Sequence, residues 1–394
     1  MTEWWSMRVP SVLHQHASHS VWPLSDTMRR SVLQYDTLGD VLTFLLPSFT
    51  GFCLFILFPI FASIALSFTT YTGGKVISFF YYQLTAQSLE QLKAQGLPEE
   101  MLTRLQKIEG KRYGDKEKFL RKVKTRIGKK NLPEYGDLIA KHGRQIIGLQ
   151  NYVSAINSSN FWKAIRITVI FVISTIGFQI GIALLLAVVL NGKIKGRNFF
   201  RGVIFMPVVL STVAISLSFM IIFHPQKGPI NEFLSSIGLD PLPWLTGQST
   251  ALPTIIFIVL WQTVGYYMVL LLSGLQTINP ALYEAAEIDG ASGVQKFFHV
   301  TIPMLTPVLF LCVILAVIRA FQVFDQIFVL TGGQDGGGPA GATTTLVFDV
   351  YLNAFRYWQL GYGAAEATIL LSIILLVTLF QYNQQRKWVS YDIV

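Results

Sequence analysis

The chain has 394 residues, of which 52% are hydrophobic and only 13% charged, with a mean hydropathy of +0.48. That balance excludes a water-soluble globular protein, because apolar runs long enough to cross ~30 Å of hydrocarbon recur along it. Its two cysteines, Cys53 and Cys312, both lie inside apolar runs and imply small packed residues rather than a disulfide framework. The formal charge of +9 is local: residues 70–164 hold 17 Lys+Arg against 8 Asp+Glu, and the remainder is balanced.

Residues 1–40 are polar and mixed, and His14, His16 and His19 lack the partners of a metal site, so a cytoplasmic N-terminal segment is expected. A first span is predicted at 41–68, bent by Pro47, Gly51 and Pro59. Prolines within a span imply neighbouring helices that satisfy the freed carbonyls. Residues 69–150 read as a basic helical extracytoplasmic insertion. Pro98 followed by Glu99-Glu100 starts a helix with the stripe Met101, Leu102, Leu105 and Ile108. Asp115 opens a second, with Phe119, Leu120, Val123 and Ile127, ending at Gly128. Without a nucleic-acid motif, a small cap resting near anionic headgroups or a partner is the expectation, with no nucleic acid bound.

Further spans are predicted at about 166–190, at 203–223 with an early interruption at Pro207, at 254–273, at 304–330 and at 361–380, followed by a cytoplasmic tail at 383–394. Lys193, Lys195, Arg197 and Arg201 cluster between the second and third spans and mark the cytoplasmic side. Six spans then put both termini on that side, with the insertion outside, since long loops translocate regardless of their charge. In the loop 225–253, Trp244 reads as an interface anchor, and the glycines 332–338 read as a pliable external loop.

Between the fourth and fifth spans lies a polar, helix-favouring interlude, Tyr283-Glu284-Ala285-Ala286-Glu287-Ile288-Asp289-Gly290, running on to Ile302-Pro303. It predicts a short helix, a glycine turn, a second short helix and a return to the membrane at Ile302-Pro303. Glu284-Ala285-Ala286, then Gly290, Val300, Ile302 and Pro303, resemble the E-A-A-x3-G-x9-I-x-L-P signature of bacterial ABC importer permeases. Trp261, Gly265, Gly274-Leu275-Gln276 and Leu282-Tyr283 resemble the carbohydrate (maltose and glycerol-phosphate) branch of that family. The resemblance covers roughly 41–68 and 149–382.

It implies an all-α polytopic membrane protein whose residues 151–382 form a five-helix permease core. Its loop at about 276–303 would couple to an ATPase through Glu284, Ala285, Ala286, Asp289 and Gly290. The implied partners are a second homologous permease, two ATPase subunits that bind the ATP, and an extracytoplasmic solute-binding protein, all at the bacterial inner membrane. The chain carries no phosphate-cradling G-x-x-x-x-G-K-[ST] and no nucleophile or metal signature, so a non-catalytic subunit without a cofactor of its own is expected.

Polar residues inside spans are costly and point to a pathway. Gln262, Tyr266, Gln322, Asp325 and Gln326 are therefore predicted to line the route of a sugar-like solute, with Phe321, Phe324 and Tyr267 as further stacking rings. For Asp325 a structural pairing with Arg319 is the competing expectation. The rival function is an ion-coupled secondary transporter using Arg319, Asp325 and Glu366.

Overall fold

The computed structural model describes residues 38–71, 78–332 and 337–388, with side chains described from residue 45 to 385 of these. The N-terminal histidines and arginines, Lys75, residues 333–336 and the side chains of Arg386 and Lys387 lie outside the described residues. Two compact units are present, one ending at Phe61 and the other beginning at Ala62. The first holds most of helix α1 (Leu45–Ser67), which widens to a π-helical turn at Cys53–Leu57. Phe49, Phe55 and Phe58 are exposed there, as suits a surface that lipid solvates.

Within the second unit the insertion is a small α+β layer with its own core. Strand β1 (Phe80–Tyr82) pairs antiparallel with β2 (Arg144–Ile146), and four helices fill the interval: α2 (Ala86–Ala94), α3 (Glu99–Gln106), α4 (Lys116–Ile127) and α5 (Leu132–Gly143). The two helices expected from the stripes are α3 and α4, and the caps behave as read. Asp115 accepts from the Glu117 amide at 3.1 Å, and Gly128 ends α4 at φ +88°. Leu102, Leu105, Ile108, Phe119, Val123 and Ile127 are buried together with Leu92 and Ile139 from the two helices that periodicity alone did not reveal. Gly143 passes so close that a Cβ there would stand 2.9 Å from the Phe119 ring.

Helices α6 (Gln150–Ile156) and α7 (Ser159–Asn191) follow, the latter about two turns longer at its start than the predicted span. The third predicted span is corrected. It is two helices, α8 (Arg197–Val209) and α9 (Thr212–Ile222), meeting at 98°. Pro207 sits inside α8 and removes a backbone donor, but the chain turns three residues later, where Leu210 and Ser211 are extended. After α10 (Pro229–Ser236) comes α11 (Ala251–Thr277), the most buried of the long apolar helices. Trp244 packs on Phe223 at 5.3 Å and donates to Asn231 Oδ1 at 2.8 Å, so it closes this loop against the core.

The elbow comprises α12 (Pro280–Ile288) and the start of α13 (Gly293–Phe321). The expected separate second helix is corrected too, since Gly293–Lys296 runs through a π-helical turn at Phe297–Thr301 directly into the apolar helix. The fifth predicted span also ends early: α13 stops at Phe321, and a separate helix α14 (Asp325–Leu330) begins after the non-helical Phe324. Of the glycine-rich loop, Gly337 and Gly338 are described, both at positive φ. A Cβ on them would meet Thr344 and Thr343 at 2.3 and 2.7 Å, so this part is a packed turn. Helices α15 (Leu346–Tyr351) and α16 (Leu360–Trp388) are the last helices of the described residues. The described residues thus form an all-α membrane protein with five helices able to span, or six if the bent pair counts as one.

Candidate functional site

Two places concentrate polar groups that membrane helices have no other reason to hold. The first is a cavity of about 350 Å³ enclosed by α7, α9, α11 and the α13–α14 break. Gln262, Tyr266, Gln322, Asp325 and Gln326 all line it, although Gln322, Asp325 and Gln326 do not share one helix as the sequence implied. The break is what gathers them: Gln322 caps the end of α13, while Asp325 and Gln326 open α14. Asp325 therefore lies in a helix's first turn, where the backbone amides favour negative charge. Non-helical backbone at membrane depth is tolerated where it lines such a cavity.

Its polar groups are joined across helices. Gln326 Nε2 donates to Gln262 Oε1 at 3.2 Å, and Gln262 Nε2 donates to Thr212 Oγ1 at 3.0 Å. Gln179 Nε2, from α7, donates to Thr263 Oγ1 on α11. Arg319 forms no ion pair with Asp325. Its guanidinium lies 4.5 Å from the centre of the Tyr266 ring, a cation–π contact, and among the described residues Asp325 has no ion-pair partner. Of the two expectations for Asp325, the pairing with Arg319 is not formed.

The predicted aromatic set divides. Tyr266 and Phe324 line the cavity, and Phe324 also stacks on Phe328 and packs at a tilt against Tyr351. Phe321 is buried in the apolar core, and Tyr267, although at the wall, is fully buried edge-on to Tyr266, so neither offers a face for stacking. Sequence reasoning missed Thr175, Gln179, Thr212 and Thr263. Gln179, an uncharged polar residue within a 33-residue apolar helix, was the available signal. Glu366 does not line this cavity. It is wholly buried near the start of α16, where Oε2 accepts from Asn353 Nδ2 at 2.9 Å, so the three charges of the rival transporter are not assembled at one site. Asp325→Asn is expected to change solute uptake several-fold with the chain still correctly inserted; uptake measured in membrane vesicles, unchanged, would leave this carboxylate outside the pathway.

The second place is the elbow. Asn279 caps α12 by accepting from the Ala281 amide at 3.0 Å, Pro280 holds the first helical position, and Gly290 makes the turn at φ +76°. Ser292 and Gln295 form a reciprocal capping box that starts α13. Lys296 donates to Glu287 Oε1 at 2.6 Å across the turn, and that hydrogen bond holds the Glu287 carboxyl below the usual carboxylate range. Glu284, Ala285, Asp289 and Gly290 are exposed and Ala286 half-buried. Beside them stand three large apolar side chains that sequence reasoning did not single out: Ile288, Val294 and Phe298, exposed by 87%, 68% and 60%.

The sequence profile of the family described as "Binding-protein-dependent transport system inner membrane component" matches residues 179–390. That match contains α11, the whole elbow, α13 and the break. The chain belongs to this family. Among relatives, it is 40% identical over 242 residues to the "Probable ABC transporter permease protein YurN" of Bacillus subtilis, covering 60% of this chain and 82% of that one. It is 36% identical over 236 residues to the "Trehalose/maltose transport system permease protein MalF" of Thermococcus litoralis, covering 60% and 77%. A crystal structure of a bacterial alginate ABC transporter, in complex with an alginate pentasaccharide-bound periplasmic protein, contains a chain of similar fold. Its TM-score is 0.56 at 24% identity, over 61% of this chain and 83% of that chain. The family assignment and the apolar helices together make this permease a multi-pass membrane protein.

Proposed function

We infer that this permease forms half of the translocation path of an importer for a carbohydrate-like solute, and that it takes its driving force from a separate ATPase seated on the elbow. The observation that carries the reading is the exposure of Ile288, Val294 and Phe298 around the Gly290 turn. Large apolar groups on a polar, doubly capped loop between two long helices are what an interface core requires, with Glu284 and Asp289 as a charged rim. Closure of the ATPases would push on α12 and the start of α13. Because α13 is continuous from Gly293 to Phe321, the push reaches the cavity at Gln322 without a flexible joint.

A sugar suits the cavity. Its hydroxyls exchange hydrogen bonds with the amides of Gln262, Gln322 and Gln326, and its apolar face stacks on Tyr266. The names of relatives support the same class, one being a trehalose/maltose permease and another a multiple sugar-binding system permease. In this reading the second wall comes from a homologous permease, a solute-binding protein delivers the ligand from outside, and the elbow, both termini and the basic 191–202 loop face the cytoplasm. No catalysis or cofactor is assigned to the chain, and ATP belongs to its partners. Uptake by cells should cease when ATP is depleted and persist when the proton gradient alone is collapsed. The reverse pattern would overturn the reading in favour of an ion-coupled carrier.

A further inference from the structure

Where the insertion meets the permease body there is a second cavity, of about 390 Å³, far from the α13–α14 break in sequence and built largely from residues before the family match begins. Its walls are held rigidly. Asn151 Nδ2 donates to the carbonyls of Ser67 and Thr69 at 2.8 and 2.9 Å, and Thr70 Oγ1 reaches the carbonyls of Ser78 and Phe80 at 3.2 Å. Gly361 lies so close to this corner that a Cβ would stand 2.1 Å from Thr69 O, and its amide donates to the Tyr71 carbonyl at 3.2 Å. The volume falls within the ~300–1,000 Å³ usual for small-molecule sites.

Strand alternation decides what faces this space. Tyr82 turns into the insertion core and stacks on Phe119 at 5.4 Å, so its neighbour Tyr81 points the opposite way, into the cavity. The Arg112 guanidinium lies 5.4 Å from the Tyr81 ring centre. No Asp or Glu lines the cavity, and among the described residues Arg112 has no ion-pair partner. The side-chain amides of Gln150 and Gln359 line it with no hydrogen bond among the described residues, and Tyr71 adds a second ring. An unopposed, stacked guanidinium is a fork for a carboxylate or phosphate, and rings with free amides suit the carbon faces and hydroxyls of a polyol.

We propose that this cavity is a binding site for an anionic polyol, held by Arg112 through its acid group and by Tyr71, Tyr81, Gln150 and Gln359 through its hydroxylated part. Such chemistry has two sources, a sugar acid in solution or the glycerol-phosphate headgroup of a lipid such as phosphatidylglycerol. The site is separate from the membrane cavity and independent of the importer reading.

The test uses the full-length chain in nanodiscs of phosphatidylcholine, titrated calorimetrically with digalacturonate. In parallel, chain exchanged from phosphatidylglycerol-containing membranes is examined by native mass spectrometry for retained lipid. Saturable digalacturonate binding that Arg112→Gln weakens at least tenfold assigns a soluble sugar acid. Retained phosphatidylglycerol that the same variant loses assigns a lipid headgroup. Arg112 is exposed, and circular dichroism of the variant checks that the fold is unchanged. Absence of both ligands, or binding of either that is indifferent to both Arg112→Gln and Tyr81→Ala, overturns the proposal. Neither readout involves transport or ATP, so its failure leaves the importer reading standing.

Discussion

Ile288→Asp is expected to release the ATPase from the permease, weakening its co-purification at least tenfold while the permease still inserts and folds. Ile288 is the most exposed large hydrophobic side chain of the elbow, at 87%, and makes no packing contribution that its loss would remove. If it fills a pocket on the partner, truncating such an anchor costs ~2 kcal/mol or more, about thirtyfold in affinity, and a buried unpaired carboxylate adds to that. Glu284→Lys in the same assay is expected to act in the same direction but less, because a rim charge is screened by water and salt. Ile146→Asp is the control: Ile146 is 74% exposed on β2 of the insertion, and its replacement should leave ATPase association unchanged. Undiminished co-purification with Ile288→Asp would show that force enters the permease elsewhere.

Gly265→Val is expected to abolish a stable, monodisperse permease, an effect larger than any substitution lining the membrane cavity. A Cβ at Gly265 would stand 2.2 Å from the carbonyl oxygen of Ile204 and 2.9 Å from the Cα of Phe205, so α11 touches α8 backbone to backbone. Neither partner can yield as a side-chain tip would, and a clash of this kind exceeds ~3 kcal/mol. The contact also braces α8 just before the 98° bend, so a milder Gly265→Ala should impair the opening of the cavity as well as stability. Gly181→Ala on α7, where nothing lies within 4 Å of the added carbon, should be neutral or slightly stabilising. Thermal denaturation followed by size-exclusion chromatography separates these outcomes, and a Gly265→Val chain that elutes and melts like the native one would refute the close contact.

The turn of the elbow was legible because its signal is local: Gly290 adopts the positive φ only glycine takes readily. The same holds for α3 and α4, where apolar spacing and Asp115 sufficed. The Asn279-Pro280 start of α12 and the capping box of Ser292 and Gln295 are equally local, but sequence reasoning passed them over. Short β1 and β2 escaped notice because three residues carry too little alternation, and they exist only by pairing across the whole insertion. The breaks escaped for a related reason. Leu210-Ser211 and Gln322–Phe324 lie in runs whose hydropathy is that of an uninterrupted span, and hydropathy reports the solvent around a helix but not its direction.

By itself, then, the amino-acid order determined that this chain is an all-α membrane protein, that a glycine-turned polar elbow separates two of its long helices, and which polar residues stand out within the apolar helices. Each of those follows from the cost of placing a group in hydrocarbon or from the backbone preference of one residue. Tertiary packing alone decided that Gln262, Gln322, Asp325 and Gln326 meet around one cavity, that Arg319 lies on Tyr266 instead of pairing with Asp325, and that Glu366 is elsewhere. These depend on where one helix stops against another, which is set by contacts between residues distant in the chain.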